Sequence, residues 1–539
     1  MISRMHNLII FNNIENDLVL GVFIFLLCDN FIFICIVLIE IERSKIMELE
    51  KEYSCLEKNE LVFSKAINVD KNYQETSEAY LDDIFKVVRC TAHSYITSCD
   101  IKDSIVYIFG KTEICLTYFN DNNELVYTDF VEDFSESIAV DEVSEYAFAI
   151  ATVCNKYCNY RIINQRRIDI HISFALNVNV YDKKSCPCVC KCENSKLYTL
   201  EEKVSYVENA VVTQVDVEES FNLPANSNGI NRVISFEINS TTTDIKTIKD
   251  KVFVKSNVSL SVLYTDNDNK IDRAEFSFDV SKIVEASGVD ENCNCIVKIS
   301  KGSLYVKAKS SADDNGGKIE LYGDLSLTVF IVKQENKKIV SDGYIVSKKT
   351  KNSYASFDCF TDGQYICNSS NSKLSLDLSS TVTKVYDLNV AVNDCMVKKQ
   401  KICIDFEVCI LADTSDQGIQ YIVQNKIIEI NAEGFSLLCT AFVNSFDYTI
   451  VNDKNISVNV MYTYSAYVGK SKKINVLTEM DCLDEAVNYP ALTLYFAKQN
   501  EKLWDIAKQF SSDIELIKKE NNITCDSLDS NKVIIIPGL

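Results

Sequence analysis

Histidine occurs only 3 times in 539 residues, glycine 14 times, proline 4 times and tryptophan once. Histidine is the usual general base of hydrolases and the commonest zinc ligand, so its scarcity argues against most hydrolytic mechanisms. So few glycines leave little from which a phosphate-cradling loop could form. Positive charge is also short: 55 Lys and Arg stand against 77 Asp and Glu, a formal net charge of −22. Such a surface repels phosphate backbones and anionic membranes, which excludes general nucleic-acid binding and charge-driven membrane docking. Apolar residues, by contrast, are plentiful: 47% of the chain is hydrophobic and 10% aromatic. That rules out a disordered acidic chain and, at this length, suggests three or four buried cores. Binding or scaffolding fits this composition better than catalysis.

The 22 cysteines are mostly scattered singly through apolar runs, as in Ile402-Cys403-Ile404 and Val408-Cys409-Ile410. They read as reduced, buried, small hydrophobes in a reducing compartment, not as the regular framework of a secreted disulfide domain. The dense exception is Cys186, Cys188, Cys190 and Cys192. Zinc frameworks prefer C-x₂₋₄-C pairs, so this C-x-C run is read as a solvated, oxidisable linker and no metal is assigned. Gly110-Lys111-Thr112 resembles the end of a phosphate loop, but Ile105 stands where the first Gly belongs. His93 and His171 are isolated in strand-like runs. No catalytic residue and no cofactor follow from these patterns.

Residues 18–41 form an apolar run long enough to cross a bilayer, interrupted by Asp29 and Asn30. Two readings stand: a transmembrane helix, with Arg43 and Lys45 holding the bulk of the chain in the cytoplasm, or translated upstream sequence ahead of a start at Met47. Residues 1–46 are set apart as a hydrophobic extension, and membrane contact is expected only if 18–41 inserts.

Residues 85–480 alternate apolar and polar positions between Asn/Asp-rich turns, the pattern of half-buried strands. They also repeat. VYIFGKTEICLTYFNDNNEL (106–125) matches VFVKSNVSLSVLYTDNDNKI (252–271), and IDFEVCILADTSDQGI (404–419) is a weaker third copy. The anchors Tyr118, Tyr264 and Ala412 are 146 and 148 residues apart. A second set superposes Ile168, Ile319 and Ile456, with Asn164, Asn315 and Asn452 each four residues upstream at a turn. The chain is therefore expected to be mainly β, with three β-sandwich-like modules at 50–190, 200–350 and 355–480.

After Pro490 the pattern changes. LTLYFAKQ (492–499) is a strand, Leu503, Ile506, Ala507 and Phe510 follow helical spacing, and Ser512 with Glu515 forms a capping-box pattern before a second helix. Asn521-Asn522 ends that helix, and KVIIIP (532–537) closes a βααβ unit at 490–539.

With LWDIAKQF in its first helix and IIIPG at its end, this unit resembles a LysM domain. The three repeats, with Asn164-Gln-Arg166-Arg167 and the Tyr118 and Tyr264 hairpins, resemble SPOCS domains. Together the order is similar to the SipL-type spore-coat morphogenesis proteins of spore-forming Firmicutes. The resemblance implies a non-enzymatic scaffold in the mother-cell cytoplasm, at the forespore surface, whose LysM domain contacts the coat's morphogenetic ATPase or other coat proteins. The alternative is a membrane-anchored LysM protein binding peptidoglycan or another N-acetylglucosamine-containing glycan. The LysM glycan loop usually reads Gly-Asp-Thr or Gly-Asp-Ser; here it is Asn500-Glu501-Lys502. Asn in place of Gly limits close approach of a sugar, and Lys502 removes a hydroxyl cap. Asn500, Glu501, Lys502 and Trp504, with Asn521, Asn522 and Ile523 from the second loop, are the candidate partner-binding residues, Trp504 being expected as an exposed anchor.

Overall fold

The computed structural model describes residues 50–76, 82–224, 227–309, 317–398, 400–432, 434–486 and 490–538, with short strands nearer the N-terminus. Those strands are Asn7–Leu8 (β1), Gly21–Cys28 (β2), Phe31–Leu38 (β3) and Ile46–Met47 (β4). Within the run at 18–41 the described residues are two strands in place of one helix: β2 and β3 pair antiparallel, with Cys28 opposite Phe31, and Asp29 and Asn30 lie outside the described residues. No helix among the described residues is long and apolar enough to cross a membrane.

Six strands then recur three times. The first module holds Lys51–Thr76 (β5), Lys86–Lys102 (β6), Ile105–Phe119 (β7), Leu125–Ala139 (β8), Phe148–Asn164 (β9) and Arg167–Cys192 (β10). The second holds Ser195–Asn222 (β11), Arg232–Ile248 (β12), Lys251–Thr265 (β13), Ile271–Glu285 (β14), Asn294–Lys309 (β15) and Lys318–Ile345 (β16). The third holds Lys348–Asp377 (β17), Val382–Lys398 (β18), Lys401–Thr414 (β19), Gly418–Asn431 (β20), Phe435–Asn452 (β21) and Asn455–Ala486 (β22). In each, the second to fourth strands make a meander, while the sixth runs between the first and fifth. The two antiparallel sheets face one another across a core. Alternation explains which face is buried: on β13, Val252, Val254, Val258, Leu260 and Val262 point inward, between more exposed neighbours such as Lys255 and Ser259.

The turns repeat with the strands. Asn120 Oδ1 accepts the amides of Asn122 (3.1 Å) and Glu124 (2.8 Å), and Asp266 Oδ1 accepts those of Asp268 (2.9 Å) and Lys270 (2.8 Å). Asn123 and Asn269 take φ of 59° and 60°, left-handed backbone that Asn tolerates. At the second anchor, Asn164 Oδ1 accepts Arg166 N at 2.8 Å and Asn452 Oδ1 accepts Lys454 N at 3.0 Å. Asn315 lies outside the described residues.

The first and last strands of each module are far longer than its sandwich needs. Their ends leave the sandwiches as three two-stranded ribbons, β5/β10, β11/β16 and β17/β22, which converge on a common hub. Leu56 and Cys188 pack there with Val204, Ile339, Phe357 and Val476. This corrects the reading of Cys186–Cys192 as a solvated linker: the run is the end of β10, a register shift sets Cys190 outward, and Cys188 and Cys192 are buried in the hub. A bulge lets neighbouring C-x-C positions face differently, which simple alternation does not anticipate.

A second bulge sits on β15, where Lys301 pairs with Leu325 but Leu304 pairs with Gly323. Gly323 has φ +131°, and a Cβ there would lie 1.9 Å from the Ser303 carbonyl oxygen. Gly323→Ala is expected to cost about 2–4 kcal/mol, combining a strained φ with a backbone clash. A urea midpoint unchanged from wild type would count against this.

The C-terminal module comprises Leu492–Ala497 (β23), Leu503–Gln509 (α1), Ile514–Asn521 (α2) and Lys532–Pro537 (β24). Leu503, Ile506, Ala507, Ile517 and Ile534 fill its core, and Tyr344 of β16 inserts into the same cluster. The cap of α2 is Asp513, which accepts Glu515 N at 2.8 Å, not Ser512, whose hydroxyl donates to the Pro537 carbonyl at 2.8 Å.

Candidate binding surfaces and the chamber between the modules

The loops of the C-terminal module are held by backbone bonds. Asn500 N donates to Leu528 O (2.8 Å), Leu503 N to Asp526 O (2.9 Å), and Lys502 bridges Ser527. Asn500 adopts φ 65°, so this side chain supplies the left-handed turn. Glu501 bends back to accept Tyr495 Oη (2.8 Å) and Lys498 N (2.9 Å), leaving it half-buried. Asn521 donates to the Ile517 and Ile535 carbonyls and accepts Ile535 N, so it ties α2 to β24. Ile523 belongs to the core. Of the seven candidates, Asn500, Lys502 and Asn522 remain exposed at the loop rim.

Trp504 is placed differently from expectation. It is half-buried against the hub, with its ring 5.2 Å from both Tyr198 and Tyr344. Its Nε1 donates to Asp342 Oδ2 at 2.9 Å. Asp342 also accepts Lys508 Nζ at 2.6 Å and Tyr354 Oη at 2.7 Å. Burial opposes ionisation of Asp342, but the bonds from Lys508, Trp504 and Tyr354 hold it below the usual carboxylate range. Lys196 reaches Asp513 at 2.9 Å, and Tyr344 Oη donates to Ser512 O at 2.9 Å, so the docking has several anchors. The partner of the indole lay 162 residues away in another module, which local sequence could not reveal.

The free surface of this module is its sheet. Leu492, Leu494 and Phe496 lie on one face of β23, opposite Pro537, Ile535 and Val533 on β24. Phe496 is 77% exposed, Leu494 58%, Leu492 55% and Val533 46%. The other face, with Tyr495 and Ile534, packs on the helices. The signal was present in the sequence: both strands are apolar on both faces, and a two-stranded sheet over two short helices buries only one.

The second candidate is a chamber of about 580 Å³ lined by all three modules. Strand registers bring repeated positions together at and beside it. Thr117 pairs with Arg89 and Tyr127, Leu263 with Ser235 and Arg273, and Leu411 with Asp387 and Tyr421. Ion pairs cross between the modules around it. Arg89 pairs with Glu237 and lies 4.6 Å over the Tyr421 ring; Arg273 meets Asp387 at 2.9 Å; Lys301, aimed by its bulge, meets the fully buried Glu113 at 2.6 Å. Burial pushes Glu113 above the usual carboxylate range despite Lys301, whereas Arg89 and Lys301 overcome burial at Glu237 and hold it below. His93, whose Nε2 lies 3.0 Å from the Lys301 carbonyl oxygen, is lowered to about 4 by burial and by Lys301. Among the described residues, no three His, Cys, Asp or Glu side chains are grouped to hold a metal ion.

Comparison with protein families finds two matches. Residues 229–309, running from β12 through β15, match the SipL, SPOCS domain family, and residues 497–537 match the LysM domain family. Searches among curated proteins and solved structures returned no match. The chain thus carries a region similar to the SPOCS domain of the SipL family in its second β module and a LysM domain at its C-terminus.

Proposed function

We propose that this protein is a non-enzymatic scaffold of spore-coat assembly, working in the mother-cell cytoplasm at the forespore surface. Its two matched domains mark it as sporulation- and coat-related, with a LysM domain of the kind that binds glycan or protein. The three modules act as a stiff body, because the Arg89–Glu237, Arg273–Asp387 and Lys301–Glu113 pairs fasten them to one another. The LysM domain supplies the contact to the coat's morphogenetic ATPase. The observation that carries this reading is the apolar sheet face of Leu492, Leu494, Phe496 and Val533, left uncovered while Trp504 is used internally. Exposed large apolar residues grouped on one face are the composition of a protein contact, whereas sugar sites rely on polar groups beside an aromatic platform.

Binding of the purified full-length chain to the purified ATPase tests this. Phe496→Asp and Leu494→Asp are expected each to weaken binding about 30-fold, the loss of one anchor of about 2 kcal/mol, with the thermal midpoint unchanged. Undiminished binding by both variants, or saturable binding of peptidoglycan fragments by the wild type, would favour the glycan-binding alternative.

A further inference from the structure

The two sheets of each sandwich meet edge to edge along one seam. In the first module the seam lies between β6 and β9, which belong to different sheets and share no backbone ladder. Ser94 N donates to Asn155 Oδ1 at 3.0 Å across it. Further along, Cys90 on β6 and Cys158 on β9 bring their Sγ atoms within 3.6 Å, both half-buried. The third module places thiols at the same seam: Cys439 on β21 donates to the carbonyl of Cys395 on β18 at 3.3 Å. The second module has no cysteine on β12, and Ser240 Oγ instead donates across its seam to the Ile299 carbonyl at 3.1 Å.

We propose that Cys90 and Cys158 are an oxidation site, a dithiol that a peroxide converts into a disulfide joining the two sheets of the first module. Either sulfur could donate in this contact, and the roles follow from the arrangement in which Cys90 donates. Cys158 is the attacking sulfur, because the Cys90 thiol hydrogen-bonds to it and favours its thiolate over the opposing effect of burial. Cys90, raised by that same bond and by burial, stays protonated and resolves the intermediate. In the first step the Cys158 thiolate attacks a peroxide oxygen and the O–O bond breaks. The products are Cys158 sulfenic acid and hydroxide, which takes up the proton that Cys158 gave up and leaves as water. Next the Cys90 sulfur attacks the Cys158 sulfur. The S–S bond forms as the S–O bond breaks, and the departing hydroxide takes the Cys90 proton and leaves as water. Two thiols and one hydrogen peroxide thus give one disulfide and two waters, with two electrons passing from sulfur to oxygen. The sulfurs need to approach from 3.6 Å to about 2.05 Å.

The test uses the reduced full-length protein, treated with hydrogen peroxide, alkylated and mapped by mass spectrometry without reduction. A peptide cross-linked through Cys90 and Cys158 is expected, at peroxide levels that leave Cys188 and Cys192 of the hub reduced, and dithiothreitol should abolish it. In Cys90→Ser the reaction should stop at Cys158 sulfenic acid, trapped by dimedone; in Cys158→Ser no adduct should form at Cys90. Both are single-atom exchanges, and circular dichroism checks that each variant stays folded. Oxidation confined to exposed thiols such as Cys190 and Cys367, with Cys90 and Cys158 still alkylated, would overturn the proposal. So would a dimedone adduct on Cys90 in the Cys158→Ser variant, or a cross-link that appears only after the protein has been unfolded.

Discussion

Lys301→Met should lower the stability of the three-module body by about 3–5 kcal/mol, the cost of removing one partner from a buried ion pair. Methionine preserves most of the side-chain volume above Phe236, whose ring the ammonium overlies at 4.1 Å, so the loss is mainly electrostatic. What remains is Glu113 with no exposed side-chain surface and no counter-charge. The deficit should depend on pH. A carboxyl whose native pKa lies above its unfolded value binds its proton more tightly when folded. Its contribution is therefore greatest below the unfolded value and is lost as pH rises through the native one. Glu113 is already raised by burial against the pull of Lys301, and removing Lys301 raises it further. Glu237 loses one of the two cations that hold it down, and His93, depressed by burial and by Lys301, moves back toward its ordinary range. All three changes narrow the gap between variant and wild type on acidification. Urea midpoints at pH 7.5 and pH 5 should show the larger deficit at pH 7.5, and adding Glu113→Gln should restore most of it. A deficit that is equal at both pH values and not rescued by Glu113→Gln would mean that Lys301 acts through packing alone.

That ion pair also shows where sequence reasoning reaches its limit. Repetition was legible because Tyr118 and Tyr264, or Asn164 and Asn452, occupy turns and registers that every copy must build the same way. Glu113, by contrast, stands in the run KTEICLTY as the polar member of an alternating strand, a position that ordinarily faces water. Only the closing of three sandwiches around one chamber buries it, and nothing within a single repeat encodes that closure. The hub was hidden for a related reason. Strands of 26 to 32 residues keep their alternation where they leave the sandwich, so no change of pattern marks the point at which β10 or β22 begins to serve the hub. In the LysM domain the βααβ order was plain from helical spacing and apolar strands. Trp504 was not, because whether a half-apolar helix faces solvent or another module depends on Asp342 and Tyr198, far away in sequence.

Asp342→Ala is expected to loosen the LysM domain from the hub. The substitution removes the acceptor of Trp504 Nε1, Lys508 Nζ and Tyr354 Oη together. Lys508 is partly exposed and its ion pair is screened, and Tyr354 is exposed to water, so most of the expected loss of about 2 kcal/mol comes from the half-buried indole donor left without a partner. The backbone contact of Ser347 with Ser511 and the Lys196–Asp513 pair remain, which favours loosening over complete release. Trp504 is the only tryptophan, so its emission reports this docking without interference: a shift to longer wavelength is expected, with faster proteolytic release of the LysM domain. In the wild type, Asp342 is held below its ordinary range, so its contribution is present at neutral pH and lost only as pH falls through the native value. Wild-type emission should therefore be unchanged at pH 5 and should shift only below the ordinary carboxylate value of 3.8. Because the apolar sheet face lies on β23 and β24, away from α1, the same variant should keep the protein contact proposed for that face, whereas Phe496→Asp should lose it with normal emission. If Asp342→Ala abolished binding while leaving the emission unshifted, the contact surface would include the cleft beside Trp504, and the sheet face would no longer account for recognition.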